Sequence, residues 1–133
     1  MKFRVPNFSL KKVFPYIIFG KIYSYLSELL LNDGYKVIGV GKRRSANQIY
    51  PNIDHLADNE HFIFVEGDIS DATLTSRLLH MYRPHEWYNL AAMSHVGQSF
   101  KEPVSTFRNN AISVISQLEC IRQISPNTRF YKV

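Results

Sequence analysis

Very apolar runs alternate with helix-like stretches along this chain at intervals of about 25 to 30 residues. That alternation constrains the fold more than any single motif does. Val13–Phe19, Tyr35–Val40, Phe62–Val65, Trp87–Ala91 and Arg129–Val133 read as strands. Ser24–Asn32, Asp71–Tyr82 and a long stretch from Pro103 to about Ile124 read as helices. In the first helix Tyr25, Leu26, Leu29 and Leu30 recur at spacings of one, three and four, as on an amphipathic face. Gly34 follows Asn32 and Asp33 as its stop. Ser70 or Asp71 can cap the second helix, Leu74, Leu78, Leu79 and Tyr82 share one face, and Arg83-Pro84 ends it. Pro103 suits a first helical turn. The stripe of Phe107, Ala111, Val114, Ile115, Leu118 and Ile121 is the expected core face of the third helix. Strands joined by helical crossovers form parallel sheets. Buried on both faces, such strands read as continuous apolar runs, as FIFV and IIF do. The expectation is an α/β fold: one domain over residues 1–133 with a doubly wound parallel sheet of about five strands. Right-handed crossovers put the strands in the order 3-2-1-4-5.

Such sheets bind ligands beyond the carboxyl ends of their strands, so the residues after each strand carry the functional reading. Gly20-Lys21-Ile22-Tyr23 follows the first strand. A dinucleotide turn needs glycines that let the backbone approach a pyrophosphate, and only Gly20 is one. Gly41-Lys42-Arg43-Arg44-Ser45 follows the second. Cations at this point suit a 2′-phosphate, whereas an acidic residue would suit a ribose hydroxyl; a solvated basic loop is the plain alternative. After the third strand comes Gly67-Asp68-Ile69-Ser70-Asp71. Asp68 can accept from an adenine amino group while Ile69 packs on the ring. Its competing role is a helix cap, which Ser70 or Asp71 could fill instead. After the fourth strand, Asn89-Leu90-Ala91-Ala92-Met93-Ser94-His95-Val96 offers small residues that admit a ligand close to the backbone. No carboxylate or cysteine accompanies His95 to make a metal or nucleophile site. Cys120 and Trp87 read as core residues.

Composition narrows the partners. The net charge of +5 favours anionic ligands. The cations are scattered over Lys11, Lys12, Lys42 to Arg44, Arg83, Arg108 and Arg129 with no stacking motif, which argues against nucleic acid. No apolar run approaches the roughly 20 residues of a membrane span, so no membrane association is expected. The single cysteine excludes an intrachain disulfide and fits a reducing, cytoplasmic setting. The basic start MKFRVPNFSLKK leads into VFPYIIFG. Pro15 interrupts that apolar run, and Lys21, Tyr23 and Glu28 follow it where a signal peptide would carry small residues.

Taken together, SYLSELLLNDGYKVIGV, RRS, IDHL, EGDISD, RPHEWYNLAAMSHVGQSFKEP and NAISVISQLECIRQISPNTRFY resemble the GDP-mannose 4,6-dehydratases. That family lies in the extended short-chain dehydrogenase/reductase group, the NAD-dependent epimerase/dehydratases. The resemblance runs from about Ile18 onward, and RPHEWYNLAAMSHVGQSF is its most specific part. It implies a Rossmann-type domain, NADP as cofactor and GDP-mannose as substrate. In the family the sugar is oxidised at C4, loses water across C5 and C6, and is reduced at C6, as in nucleotide-sugar metabolism leading to GDP-fucose. The implied cofactor contacts are Gly20 at the phosphate turn, Lys42, Arg43 and Arg44 at the 2′-phosphate, Asp68 and Ile69 at the adenine, and Leu90, Ala91, Ala92 and Ser94 beside the nicotinamide-side ribose. Ser94, His95 and Ser99 would edge toward the sugar nucleotide.

The departures are equally specific. Where the family reads roughly TGITGQDGSYL, this chain reads YIIFGKIYSYL. Its three glycines fall on Ile17, Gly20 and Tyr23, so side-chain bulk at Ile17 and Tyr23 is expected to point into the phosphate turn. Pro15 removes a ladder donor from the first strand, and Ser105 replaces a cofactor-contacting tyrosine. The family's Tyr-x-x-x-Lys acid–base pair occurs nowhere in this sequence. The expectation is therefore an N-terminal fragment with a divergent or frame-shifted start over residues 1–17, inactive alone and without catalytic residues of its own. The alternative is a non-catalytic nucleotide-binding or interaction module that forms homo-oligomers or pairs with a full-length relative.

Overall fold

The computed structural model describes residues 12–16, 21–42, 53–68, 70–91 and 96–132. Its elements are β1 (Lys12–Tyr16), α1 (Lys21–Asn32), β2 (Lys36–Gly41), a 3-10 turn (Asp54–Leu56), β3 (Phe62–Glu66), α2 (Ala72–Tyr82), β4 (Glu86–Asn89), α3 (Val96–Lys101), α4 (Pro103–Phe107), a π turn (Arg108–Ile112), α5 (Ser113–Ile124) and β5 (Arg129–Lys132). The strands form one sheet in the order β3-β2-β1-β4-β5, and every pairing is parallel. This is the expected Rossmann-type order. β1 is central, so Pro15, opposite Tyr88 of β4, leaves the middle strand one backbone donor short.

Strand pleating divides the core in two. Ile38, Val40, Trp87 and Ala91 pack with Leu74, Leu78 and Leu79 of α2 and Ile121 of α5 on one face. Val37 and Phe62 pack with Tyr23 and Leu30 of α1 and with Ile53 and Leu56 around the 3-10 turn on the other. The strand order reverses between β1 and β4 while the helices change face, which creates the switch point where ligands of such sheets sit.

Helix ends follow local chemistry. Gly34 takes φ +79°, and Tyr35 N and Gly34 N donate to Leu30 O at 2.9 Å and Leu31 O at 3.0 Å, closing α1 as a Schellman motif. Asp71 caps α2, its carboxylate accepting from Thr73 N at 2.8 Å and Leu74 N at 3.2 Å. Arg83 ends α2 in a left-handed conformation, φ 45°, and its guanidinium donates to Ile124 O. The last strand is tied to its neighbour by an Arg129–Glu86 ion pair and a Thr128 hydroxyl on Pro84 O at 2.6 Å.

Two expected helix faces are corrected. On α1, Leu26 and Leu30 meet the core as expected, but Tyr25 and Leu29 are exposed, and the helix buries Tyr23, Ser24 and Ser27 in their place. On the long stretch from Pro103, which runs as α4, the π turn and α5, Phe107, Ile115 and Leu118 are 61%, 65% and 43% exposed; Ile121 is buried as expected, but with Ser113 and Gln117 beside it. The π turn contributes to the second difference. A helix read at a uniform 3.6 residues per turn loses phase wherever an extra residue enters a turn. The inner face also has to meet polar atoms of the sheet, described next.

Candidate functional site

The carboxyl edge of the sheet carries Lys42 beyond β2, Gly67 and Asp68 beyond β3, Leu90 and Ala91 beyond β4, and Lys132 at the end of β5. Gly67 N donates to Gly41 O at 2.9 Å, drawing the ends of β2 and β3 together. Because Asp71 caps α2, Asp68 is left at the strand end. Its carboxylate accepts from Ser70 N at 2.9 Å and pairs with Lys42 Nζ at 2.6 Å. Burial pushes the Asp68 carboxyl up, but the hydrogen bonds from Lys42 and Ser70, with the Lys42 charge, outweigh it and hold the group below its ordinary value. The two residues assigned separately to a 2′-phosphate and an adenine are thus one ion pair, and an anion arriving at Lys42 competes with Asp68.

The pair has a pH signature. A carboxyl whose folded value lies below its unfolded value of 3.8 stabilises the fold above that pH, and the contribution is lost as pH falls through the lower folded value. The Lys42 and Asp68 side chains are 63% and 36% exposed, so the effect stays below about 1 kcal/mol. Asp68→Asn should lower the melting temperature slightly at neutral pH. The difference from the parent should shrink as pH falls below 3.8 and through the lower folded value in a calorimetric pH series; a difference that stays constant over that fall would assign the loss to packing.

Beyond β4, Ala91 is buried and both of its backbone groups are held by side chains. Its N–H donates to Asn89 Oδ1 at 3.0 Å, and its carbonyl accepts from Lys132 Nζ at 3.2 Å. Burial pulls the Lys132 ammonium down from its ordinary value. Behind Asn89, Gln117 Oε1 accepts from Asn89 Nδ2 at 3.1 Å and from Trp87 Nε1 at 3.2 Å. Trp87, Asn89 and Gln117 are fully buried. Sequence reasoning missed Asn89, Gln117 and Lys132 as site residues. The one available signal was Gln117, a polar residue in line with Ser113 and Ile121 along the helix.

The other expected contacts are placed as follows. Leu90 is half-buried against the α1-side core. Ser99 lies in α3 and Ser105 in α4, both partly exposed. Gly20, Arg43, Arg44, Ile69, Ala92, Ser94 and His95, with Ile17, fall outside the described residues. Tyr23 is corrected: its ring does not point into the phosphate turn but is 3% exposed in the core beneath α1, with its hydroxyl over Gly39 of β2. Burial pushes its phenol up, the nearby Ser27 hydroxyl offsets this in part, and neither hydroxyl makes a hydrogen bond of good geometry. Among the described residues no group of three or more His, Cys, Asp or Glu could hold a metal ion, and no helix is long and apolar enough to cross a membrane.

This is the edge at which doubly wound sheets take their ligands, and similarity to known proteins narrows the reading further. Residues 18–133 match the profile of the GDP-mannose 4,6 dehydratases. The chain belongs to the GDP-mannose 4,6-dehydratase family. It is 41% identical over 120 residues to GDP-mannose 4,6-dehydratase of Sinorhizobium fredii, covering 85% of this chain and 34% of that one. It is 38% identical to the Vibrio cholerae enzyme over 85% of this chain and 32% of that one. Among solved structures it resembles the Bordetella bronchiseptica enzyme WbmH in complex with NAD+, at TM-score 0.70 and 28% identity over 91% of this chain and 38% of that one. As a GDP-mannose 4,6-dehydratase homologue the chain thus spans about a third of the length of the curated relatives it matches.

Proposed function

We propose that this chain is the cofactor-binding part of a GDP-mannose 4,6-dehydratase, that its cofactor is NADP, and that alone it turns over nothing. The observation that carries the reading is a family member's doubly wound sheet with a cation, Lys42, at the end of β2. In dinucleotide sites of this type a base there meets a 2′-phosphate. Arg43 and Arg44 follow it in sequence. The crevice fits the group: a small buried residue, Ala91, stands at the end of β4 where a ligand must approach the backbone. NADP, when bound, supplies a hydride acceptor and donor. The residues of this chain would bind and orient it. Lys42, Arg43 and Arg44 would take the 2′-phosphate, and Asp68 with Ile69 the adenine. Gly20 would take the pyrophosphate, while Leu90, Ala91, Ala92 and Ser94 line the ribose. Ser94, His95 and Ser99 would lie toward GDP-mannose.

Two features limit activity. Glycine admits a pyrophosphate where a side chain would occupy its space, and Ile17 replaces the first glycine of the turn. No Tyr-x-x-x-Lys supplies the acid–base pair at the sugar hydroxyl. Pure chain incubated with NADP and GDP-mannose should yield no 4-keto-6-deoxy product; turnover would overthrow the reading. Charge-assisted bonds make NADP bind about tenfold or more tightly than NAD. Calorimetry showing equal affinities, or no loss in Arg43→Ala, would refute the cofactor assignment. A second reading, a non-catalytic module that pairs with a full-length relative, is favoured by the exposed apolar face of α4 and α5. NADPH affinity without turnover, together with co-purification with such a relative, would support it.

A further inference from the structure

We propose that Asn89, Gln117 and Lys132 are positioning residues that fix the backbone of Ala91 at the mouth of the crevice. The proposal rests on the cofactor reading above for its functional consequence, and on hydrogen-bond geometry for its structural one. β4 ends at Asn89, so Ala91 lies past the ladder and its N–H and carbonyl need other partners. Asn89 Oδ1 takes the N–H at 3.0 Å, and Lys132, from the neighbouring strand, takes the carbonyl at 3.2 Å. The strand end is therefore held by side chains rather than by the sheet.

The Asn89 amide is held in turn. Its oxygen must face Ala91 N–H, so its NH2 must face an acceptor. Gln117 Oε1 is that acceptor at 3.1 Å. The same oxygen takes the indole N–H of Trp87 at 3.2 Å. An indole nitrogen only donates, so position 117 has to present an acceptor to the sheet. Trp87 and Asn89 are two residues apart on one face of β4, and one side chain from α5 serves both. This explains why the helix turns Ser113 and Gln117 inward and leaves Ile115 and Leu118 outside. The polar atoms of the sheet select the buried face, and the consequence is a defined backbone path at Ala91.

Three variants of the whole chain test the assignment: Gln117→Leu, which removes the acceptor; Gln117→Glu, which keeps one; and Ile121→Ala, which loosens the same helix face one turn away without touching these bonds. Hydrogen exchange of the Ala91 amide is read relative to the Ile38 amide of β2. NADPH affinity is read by its fluorescence, and the emission of Trp87, the single tryptophan, reports the indole bond. Gln117→Leu should raise the Ala91-to-Ile38 exchange ratio and weaken NADPH binding, each on the order of tenfold, and should shift Trp87 emission. Gln117→Glu should restore the ratio, whereas Ile121→Ala should lower stability and leave the ratio unchanged. If Ala91 and Ile38 accelerate together in Gln117→Leu, or if Ile121→Ala reproduces its ratio, the positioning role is refuted. Absence of NADPH binding in every form would refute the cofactor reading alone, since the exchange ratio still decides the clamp.

Discussion

Gly39→Ala should cost about 2 to 3 kcal/mol of folding stability, the upper range for overpacking a closed core. A Cβ at Gly39 would land on the Tyr23 hydroxyl, with Tyr23 Cζ at 3.2 Å and Phe62 Cζ at 3.4 Å. All three positions lie in the packed layer between α1 and the sheet, where nothing can give way cheaply. Tyr23→Phe should act in the opposite direction. It deletes a buried hydroxyl that makes no hydrogen bond of good geometry and should stabilise the chain by about 1 kcal/mol. In the double variant the alanine loses its worst contact, so the two changes should be non-additive, with much of the Gly39→Ala cost recovered. Urea midpoints at unchanged m-value are the measurement. Simple additivity would mean that Tyr23 already moves aside. The pair also changes the meaning of the altered turn. In a dinucleotide fold the third glycine serves close helix–strand packing. Here the bulk sits on the helix and the glycine on the strand, so Tyr23→Gly alone should open a cavity rather than rebuild a phosphate site.

The second large effect concerns association. Phe107, Ile115 and Leu118 on the third helix, with Val104 and Phe100 before them, leave a run of exposed apolar side chains, and β5 lies at the sheet edge with Tyr131 exposed. Contiguous apolar surface of this kind drives self-association, and an open strand edge adds a pairing route. The chain at micromolar concentration should scatter light as a species several times the monomer mass. Phe107→Lys with Ile115→Lys should return it to monomer without lowering the melting temperature, because neither side chain contributes to the core. A monodisperse parent, or a double variant that unfolds, would contradict this. If the double variant stays associated while a charge at Tyr131 disperses it, the strand edge is responsible.

The sheet was legible because its information is local and redundant. FIFV and KVIGV are apolar on both faces, and each crossover is long enough to carry a helix, so strand order follows from handedness alone. Asp71 and Gly34 announced their helix ends by residue type. The face of α2 was legible, since Leu74, Leu78, Leu79 and Tyr82 all meet the core, but those of α1 and α5 were legible only in part, because apolarity does not say which partner a helix meets. α1 offers Tyr25 and Leu29 as readily as Tyr23 and Leu30, and the choice depends on Gly39, far away in sequence. α5 offers Ile115 and Leu118, yet the sheet presents an indole N–H and an amide that Gln117 satisfies. The edge was legible in outline: Lys42, Asp68, Leu90 and Ala91 do lie along it. That Lys42 and Asp68 pair with each other, and that Lys132 reaches Ala91, are facts about strands adjacent in the sheet but distant in the chain.

The π turn at Arg108–Ile112 makes the third helix tolerant of length change. A π turn holds one residue more than an α-helix needs for the same closure, so loss of any one residue there can be absorbed without a loop. The flanking segments would stay on one axis and keep nearly the same relative phase, because an α turn then closes where the π turn did. A one-residue gap at this point in a homologous sequence therefore marks a π turn replaced by an α turn, with Val104 and Phe107 presented on the same side, and not a broken helix.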